Sequence, residues 1–152
     1  MAKTPTTKTV ATLTHDEAKR RNIPTAEYQS VLDKEQADPV RVRLLLRNLI
    51  DNALRHSAGA AQPPSLELAR DADGQLRISV RDHGPGVDDE QLARLAEPFY
   101  RADTARQRST GGVGLGLYLC RLVAQAHGGT LAFRLAQPGL EVSARWPIVP
   151  AR

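Results

Sequence analysis

Two asparagines inside an apolar segment are the first residues of this sequence that could do chemistry. Asn48 and Asn52 are four residues apart, so in a helix they lie on one stripe, with Arg55 and His56 one turn further along. Asparagine is a poor helix former, and its amide oxygen is a hard ligand that suits Mg²⁺. Mg²⁺ often takes only one or two protein ligands beside substrate phosphates, so this pair would suffice. Taken alone, the pair could equally be two amides that cap neighbouring loops.

A second group, Asp82-x-Gly84-x-Gly86, directly follows a segment that alternates like a strand. Glycine allows positive φ and a close approach of the backbone to a ligand. A carboxylate at the end of that strand could accept a hydrogen bond from an exocyclic amine such as that of adenine. A short Asp-Gly turn that binds nothing remains the alternative for this group by itself.

The third group is the glycine-rich run Gly111-Gly-Val-Gly-Leu-Gly116, which opens a predicted helix. Backbone N–H groups at a helix N-terminus, together with the helix dipole, favour an anion. The run is not a P-loop, because no Lys-Ser/Thr follows its last glycine. It also follows a polar loop rather than a strand, which argues against a dinucleotide-binding βαβ unit. By itself the run indicates no more than an anion site at a helix start.

A small set of predicted elements must bring these groups together. Asp38-Pro39 is a typical helix start, with Asp at the cap and Pro at the first helical position. In chain order, periodicity and turn residues predict a helix over Val42–Ser57, a hairpin of Leu66–Arg70 and Leu76–Val80, a short helix capped by Asp88, a helix over about Leu115–His127, and a hairpin of Thr130–Leu135 and Leu140–Trp146. This order predicts an α+β fold, an antiparallel sheet with helices on one face.

In this order and spacing, the three groups resemble the ATP-binding catalytic domain of bacterial sensor histidine kinases, part of the ATPase superfamily that includes DNA gyrase. The similar segments are Asn48–Ser57 for the N box, Asp82–Val87 for the G1 box, Glu97–Arg101 for the F box and Gly112–Leu117 for the G2 box. The resemblance spans about Asp38 to Trp146 and implies a two-layer Bergerat fold. In that fold a mixed, mostly antiparallel sheet carries about three helices on one face. It also implies an ATPase domain over residues 38–152.

The resemblance implies a role for each matched residue. Asn48, Arg55 and His56 would occupy catalytic positions, and Asn52 together with Asn48 would bind Mg²⁺ beside the phosphates of ATP. Asp82 would bind the adenine amine. The other predicted nucleotide-binding residues are Gly84, Gly86, Phe99, Arg101, Arg106, Arg108, Gly112, Gly114, Leu115 and Gly116. Tyr100–Thr110 would form a mobile lid over the phosphates.

The implied function is transfer of the ATP γ-phosphate to a histidine on a separate phosphoacceptor domain, with a response regulator as a further partner in trans. Gyrase-like relatives carry a water-activating Glu where this sequence has Asn48, which favours transfer to a protein over hydrolysis. The sequence contains no His-Glu-x-x-Thr-Pro phosphoacceptor box, so we do not expect this chain to phosphorylate itself. The alternatives are a non-catalytic nucleotide-binding remnant and an anti-sigma-type serine kinase module.

Composition narrows the class of protein. The 152 residues suit one domain, and the net charge of +4 comes without a long basic run, so no nucleic-acid partner is expected. Cys120 is the only cysteine, which excludes an intrachain disulfide. No apolar run reaches the roughly 20 residues that span a bilayer, and no signal-peptide core follows Met1, so a cytoplasmic location is expected.

The leader, residues 1–37, differs from the rest of the chain. It is rich in Thr and Lys, carries little apolar periodicity, and is predicted to be loosely packed or disordered. Related domains usually have a pair of strands before the N-box helix, and here Thr9–Leu13 is the only weak candidate. The sheet could therefore lack an edge strand.

Overall fold

The computed structural model describes residues 9–12, 38–57, 59–70, 73–100 and 115–147. In chain order its elements are β1 (Thr9–Thr12), α1 (Pro39–His56), β2 (Ser65–Arg70), β3 (Gln75–Arg81), α2 (Asp89–Arg94), α3 (Gly116–Ala126), β4 (Thr130–Leu135) and β5 (Leu140–Pro147). The predicted helices and both predicted hairpins are confirmed, with ends that differ by a few residues at most.

The described strands form one sheet in the order β1-β2-β3-β5-β4. Every pairing among them is antiparallel, where the sequence predicted a mixed, mostly antiparallel sheet. Strand β5 lies between β3 and β4, so the end of β3 adjoins the start of β5, with Arg81 opposite Glu141. Because of this register, the turn between β4 and β5 lies next to the end of β3.

The expectation of a missing edge strand is wrong. Thr9–Thr12 pairs with β2, with Thr9 opposite Leu68 and Thr12 opposite Ser65. A segment of four residues is too short for an alternating pattern to predict a strand. It forms a strand here because the backbone groups at the edge of β2 pair with it. The rest of residues 1–37 lies outside the described residues, and the division of the chain at residue 37 stays a prediction.

Helix α1 begins where its cap predicts. The Asp38 carboxylate accepts hydrogen bonds from the backbone N–H groups of Val40 (3.0 Å) and Arg41 (3.3 Å), and Pro39 follows at the first helical position. The predicted apolar stripe is buried against the inner face of the sheet. The stripe consists of Val42, Leu45, Leu46, Leu49, Ile50 and Ala53, and the facing strand residues include Leu66, Leu76, Ile78, Val80, Val142 and Ala144.

Helix α3 packs both on α1 and on strands β4 and β5, so the two long helices share one face of the sheet. It ends as predicted at Gly128-Gly129. Gly128 has φ +77°, its N–H bonds to the carbonyl of Gln125 (3.0 Å), and the Gly129 N–H bonds to that of Ala124 (2.8 Å), a Schellman ending. Leu92 of α2, and Leu95 just after it, join the same core. The result is the predicted two-layer α+β arrangement. None of the described helices has the length and apolar character needed to cross a membrane.

Candidate functional site

Asp82 lies directly after β3 and is almost completely buried, with 2% of its surface exposed. Its Oδ1 accepts hydrogen bonds from the backbone N–H groups of Gly84 (3.0 Å) and Leu140 (3.3 Å). Its own N–H donates to the carbonyl of Leu140 (2.9 Å). No hydrogen bond joins its other carboxylate oxygen, Oδ2, to a residue in the described part of the chain. The two oxygens of this carboxylate thus differ: the backbone holds Oδ1, whereas Oδ2 keeps its capacity to accept a hydrogen bond.

The electrostatics of Asp82 fit a binding group. Burial raises the pKa of its carboxyl above the ordinary value of 3.8, while the Gly84 and Leu140 N–H groups and the nearby His56 and His83 act in the opposite direction. No salt bridge joins Asp82 to another described residue. A buried carboxylate without a cationic partner costs stability, and such perturbed groups concentrate at functional sites.

Glycine is required at position 84 by close packing. A Cβ added there would overlap the backbone carbonyl of His56, the last residue of α1. The loop after β3 therefore lies directly against the C-terminal end of α1. Gly86 has φ +75°, a conformation that glycine adopts readily, and its added Cβ would lie 3.4 Å from the carbonyl oxygen of Gly139. Gly84 thus packs beside Asp82 and Gly86 beside Gly139, and their part in nucleotide binding stays a prediction.

The other end of the candidate site lies where α1 meets the start of α3. The Asn48 side-chain nitrogen donates to the carbonyl of Leu44 (2.9 Å), and this bond does not use the amide oxygen. A Cβ added at Gly116, the first residue of α3, would lie 3.1 Å from that oxygen. Leu115 at the N-cap makes no side-chain capping hydrogen bond. The Asn48 amide oxygen and the first turn of α3 therefore lie side by side.

Helix α1 sets the separation of the two ends. Asn48 and His56 are about 12 Å apart along the helix axis, and the half-buried Asn52 lies one turn after Asn48. The hydrogen-bond acceptor, Asp82, lies at the His56 end, and the oxygen ligand and helix N-terminus lie at the Asn48 end. One helix thus separates a buried carboxylate from an amide oxygen that lies beside the start of α3.

The predicted site residues are only partly brought together. His56 lies with Gly84 and Asp82 rather than with Asn48, and Arg55 is exposed. Their catalytic roles stay predictions. Phe99 is 71% exposed and has φ +65°, which is strained for a side chain of its size. The remaining predicted contacts lie outside the described residues: Arg101, Arg106, Arg108, Gly112 and Gly114.

Two groups at the site were missed by sequence reasoning. The N–H of Leu140 and the glycine before it, Gly139, belong to the β4–β5 hairpin, for which the sequence predicted only a turn. No local signal connects this turn with Asp82, since their contact depends on β5 pairing with β3.

Comparisons with known proteins show the family to which this chain belongs. The family described as histidine kinase-, DNA gyrase B- and HSP90-like ATPase matches residues 37–150. The chain is 41% identical over 111 residues to the sensor histidine kinase YkoH of Bacillus subtilis strain 168, which covers 70% of this chain and 23% of that protein. It spans less than a quarter of the length of the curated relatives it matches.

Two solved structures share the fold. The mycobacterial sensor histidine kinase MprB matches with a TM-score of 0.64 at 22% identity, over 94% of this chain and 100% of that one. Full-length ShkA in complex with AMPPNP matches with a TM-score of 0.64 at 25% identity, over 94% of this chain and 32% of that one. The chain therefore belongs to the histidine kinase-, DNA gyrase B- and HSP90-like ATPases, and within them it is similar to sensor histidine kinases.

Proposed function

We propose that this domain binds Mg-ATP along α1 and transfers the γ-phosphate to a histidine of a separate phosphoacceptor domain, from which a response regulator is then phosphorylated. The observation that carries the proposal is the separation just described. A carboxylate with one oxygen left for a donor stands at one end of α1, and an amide oxygen beside a helix N-terminus stands at the other. ATP has the matching ends, an exocyclic amine and a polyanion.

The residues at the phosphate end suit Mg²⁺. Amide oxygens are hard ligands, and the bond of the Asn48 nitrogen to Leu44 leaves its oxygen beside the start of α3. Asn48 and Asn52 would hold the ion, which when bound offsets the negative charge of the phosphates. No group of three or more His, Cys, Asp or Glu side chains that could hold a metal occurs among the described residues. A site of two amides completed by phosphate oxygens fits Mg²⁺ better than a site built from protein ligands alone.

The protein's own contribution would be binding and orientation. Asp82 would accept a hydrogen bond from the adenine amine, and the first turn of α3 would direct its N–H groups at the phosphates. Asn48 is neutral and cannot take a proton from water. The γ-phosphate would therefore persist until an acceptor imidazole is placed in line with it, and such placement supplies roughly 7–11 kcal/mol of the barrier reduction.

The curated relative named above is a sensor histidine kinase, which favours a histidine acceptor over the serine kinase alternative. ShkA, whose structure contains an ATP analogue, supports ATP as the nucleotide. Because the chain spans less than a quarter of its curated relatives, the phosphoacceptor and the response regulator are proposed rather than identified.

Nucleotide binding is tested by calorimetric titration with ATP and GTP, with and without Mg²⁺. We expect Asn52→Ala to abolish the Mg²⁺ dependence of ATP affinity and Asp82→Asn to weaken ATP at every Mg²⁺ concentration. The matched controls are Arg47→Ala, at an exposed position of the same helix, and Asp73→Asn, in the exposed β2–β3 turn. Equal affinity for ATP and GTP would exclude the adenine assignment.

Phosphotransfer is tested with γ-labelled ATP, with and without a separate phosphoacceptor hairpin. We expect acid-labile, base-stable label on the hairpin and none on this chain alone. Of its four histidines, His56 and His83 lie beside Asp82, and His127 is engaged in hydrogen bonds at the end of α3. The fourth, His15, lies outside the described residues and is followed by Asp-Glu-Ala-Lys, which is not a phosphoacceptor motif. Label on the chain alone would refute this expectation. No label in either case, despite ATP binding, would favour the non-catalytic alternative.

A further inference from the structure

The β4–β5 turn, residues 136–139, reaches Asp82 although it belongs to none of the four sequence boxes. A Cβ added at Gly139 would overlap the backbone carbonyl of Asp82 and would lie 2.8 Å from its Oδ1. The next residue, Leu140, donates its N–H to that same oxygen (3.3 Å). The turn therefore packs directly against the carboxylate of Asp82.

The side chain of Arg81 ties this turn to the strand that carries Asp82. One of its terminal nitrogens donates to the carbonyls of Ala136 (3.1 Å) and Pro138 (3.3 Å). Its cross-strand neighbour Glu141 pairs instead with Arg134 (3.1 Å). Hydrogen bonds from a charged donor are about twice as strong as neutral ones. Arg81 thus fixes the position of the turn through two hydrogen bonds, and the turn itself fixes the carboxylate of Asp82 through the Leu140 N–H.

We propose that Arg81 and Gly139 are positioning residues that determine the selectivity for adenine. They keep Oδ1 of Asp82 on the backbone N–H groups of Gly84 and Leu140, so that only Oδ2 is presented to a base. The inference rests on the proposed function, in which Oδ2 accepts from the exocyclic amine of adenine.

The chemical reason lies in what other purines offer. Inosine carries a carbonyl oxygen where adenine has its amine, and an N–H donor on the adjacent ring nitrogen. A carboxylate held in one orientation faces that carbonyl oxygen and is repelled by it. A carboxylate free to tilt can accept from the neighbouring N–H instead. Loosening the turn should therefore erode the preference for ATP over ITP more than it erodes nucleotide binding as such.

The test measures the dissociation constants of ATP and ITP, with Mg²⁺, for the wild-type chain and for Gly139→Ala, Arg81→Met and Arg81→Lys. A hydrogen bond to a charged group predicts that the wild type prefers ATP by about tenfold or more. We expect Gly139→Ala and Arg81→Met to reduce that preference at least about threefold. Arg81→Lys should retain part of it, because Lys can still donate to one of the two carbonyls.

Two matched controls separate positioning from general damage. Gly74→Ala replaces a glycine of similar φ (+83° against +90° at Gly139) that has nothing within 4 Å of its added Cβ. Arg134→Met removes an arginine whose ion pair with Glu141 lies next to Arg81 in the sheet. Both should keep the wild-type ratio. A smaller folded fraction weakens both nucleotides by one factor, so the ratio of the two constants is insensitive to it.

An unchanged ATP-to-ITP ratio in Arg81→Met and in folded Gly139→Ala would overturn the inference. Circular dichroism checks the fold, and if Gly139→Ala does not fold, Arg81→Met against Arg134→Met decides alone. If the wild type binds neither nucleotide, the proposed function fails and this inference fails with it. If the wild type prefers ATP and every variant keeps that preference, only this inference fails.

Discussion

At the scale of single residues, the burial of Asp82 has two opposite effects: it lowers the stability of the fold, and it suits the carboxylate to bind a ligand. Its carboxylate is buried, and the same burial that raises its pKa also shields it from water, which would otherwise compete for its oxygens. Two backbone N–H groups stabilise one of its oxygens. The other oxygen gains nothing from the described part of the protein, which is the arrangement expected of a group that serves a ligand.

This conflict predicts opposite effects on stability and binding for Asp82→Asn. Because the folded-state pKa lies above 3.8, the folded chain binds the proton more readily than the unfolded chain. The contribution of Asp82 to the free energy of unfolding should therefore fall as the pH rises from 3.8 through the raised pKa. Asparagine keeps an oxygen for the Gly84 and Leu140 N–H groups and carries no charge. At neutral pH the variant should melt at the same or a higher temperature, yet bind ATP about tenfold more weakly or worse.

Thermal melts of the wild type and Asp82→Asn across pH 3–8, with ATP titrations at neutral pH, check this prediction. Asp73→Asn, at an exposed turn position, should change neither quantity. A clearly lower melting temperature for Asp82→Asn at neutral pH would contradict the account of Asp82 as a group that costs stability.

At the scale of elements, the site depends on how α1 and α3 lie against each other. They run antiparallel and touch at three levels: the Asp38 N–H donates to His127, the Cys120 thiol lies against the Leu45 carbonyl, and Gly116 faces Asn48. His127 donates from Nδ1 to the Val123 carbonyl (2.8 Å), so its Nε2 is free to accept from the Asp38 N–H (3.3 Å). These contacts place the start of α3 beside Asn48.

The reactivity of the Cys120 thiol can be used to measure how tightly α1 and α3 pack. Burial raises its pKa to about 12, and its surface is fully covered. The thiolate is the reactive form, so at pH 8 we expect native Cys120 to react with a thiol reagent roughly a thousandfold more slowly than in the unfolded chain. Labelling followed by mass spectrometry, in buffer and in denaturant, measures the ratio.

The Cys120→Ser variant should take up no label under either condition, because the chain has no other cysteine. Fast labelling of the native chain would mean that α1 and α3 separate readily. It would also weaken the argument that their contact fixes the start of α3.

At the scale of the whole molecule, the sheet is completed by a segment far from the domain in sequence. Strand β1 covers the outer edge of β2, whose backbone groups would otherwise be open to another chain. The family match begins at residue 37, so β1 lies outside the matched region and yet belongs to the sheet.

Truncation tests the role of β1. Removal of residues 1–12 should lower the free energy of unfolding by about 1–3 kcal/mol, since several backbone hydrogen bonds are lost, and should increase association through the exposed edge. Removal of residues 1–8 leaves β1 intact and serves as the control. Denaturant unfolding and light scattering give the two readouts. Equal stability of the two truncated chains would show that β1 contributes nothing to the fold.

The amino-acid sequence by itself determined what depends on neighbours along the chain. The cap at Asp38, the apolar stripe of α1, the Gly128-Gly129 ending and the strand alternation each act within one element, so local periodicity predicted them. The spacing of Asn48, Asp82 and Gly116, with the resemblance that it carries, predicted the kind of site.

Only the tertiary structure decided which elements meet. Asp82 and the Leu140 N–H that holds it are 58 residues apart, and they meet because β5 inserts between β3 and β4. His56 lies near Asp82 because the glycine loop after β3 packs on the end of α1. Thr9–Thr12 is a strand because β2 offers it an edge. Pairing order and register follow from burial across the whole sheet, and no local pattern carries that information.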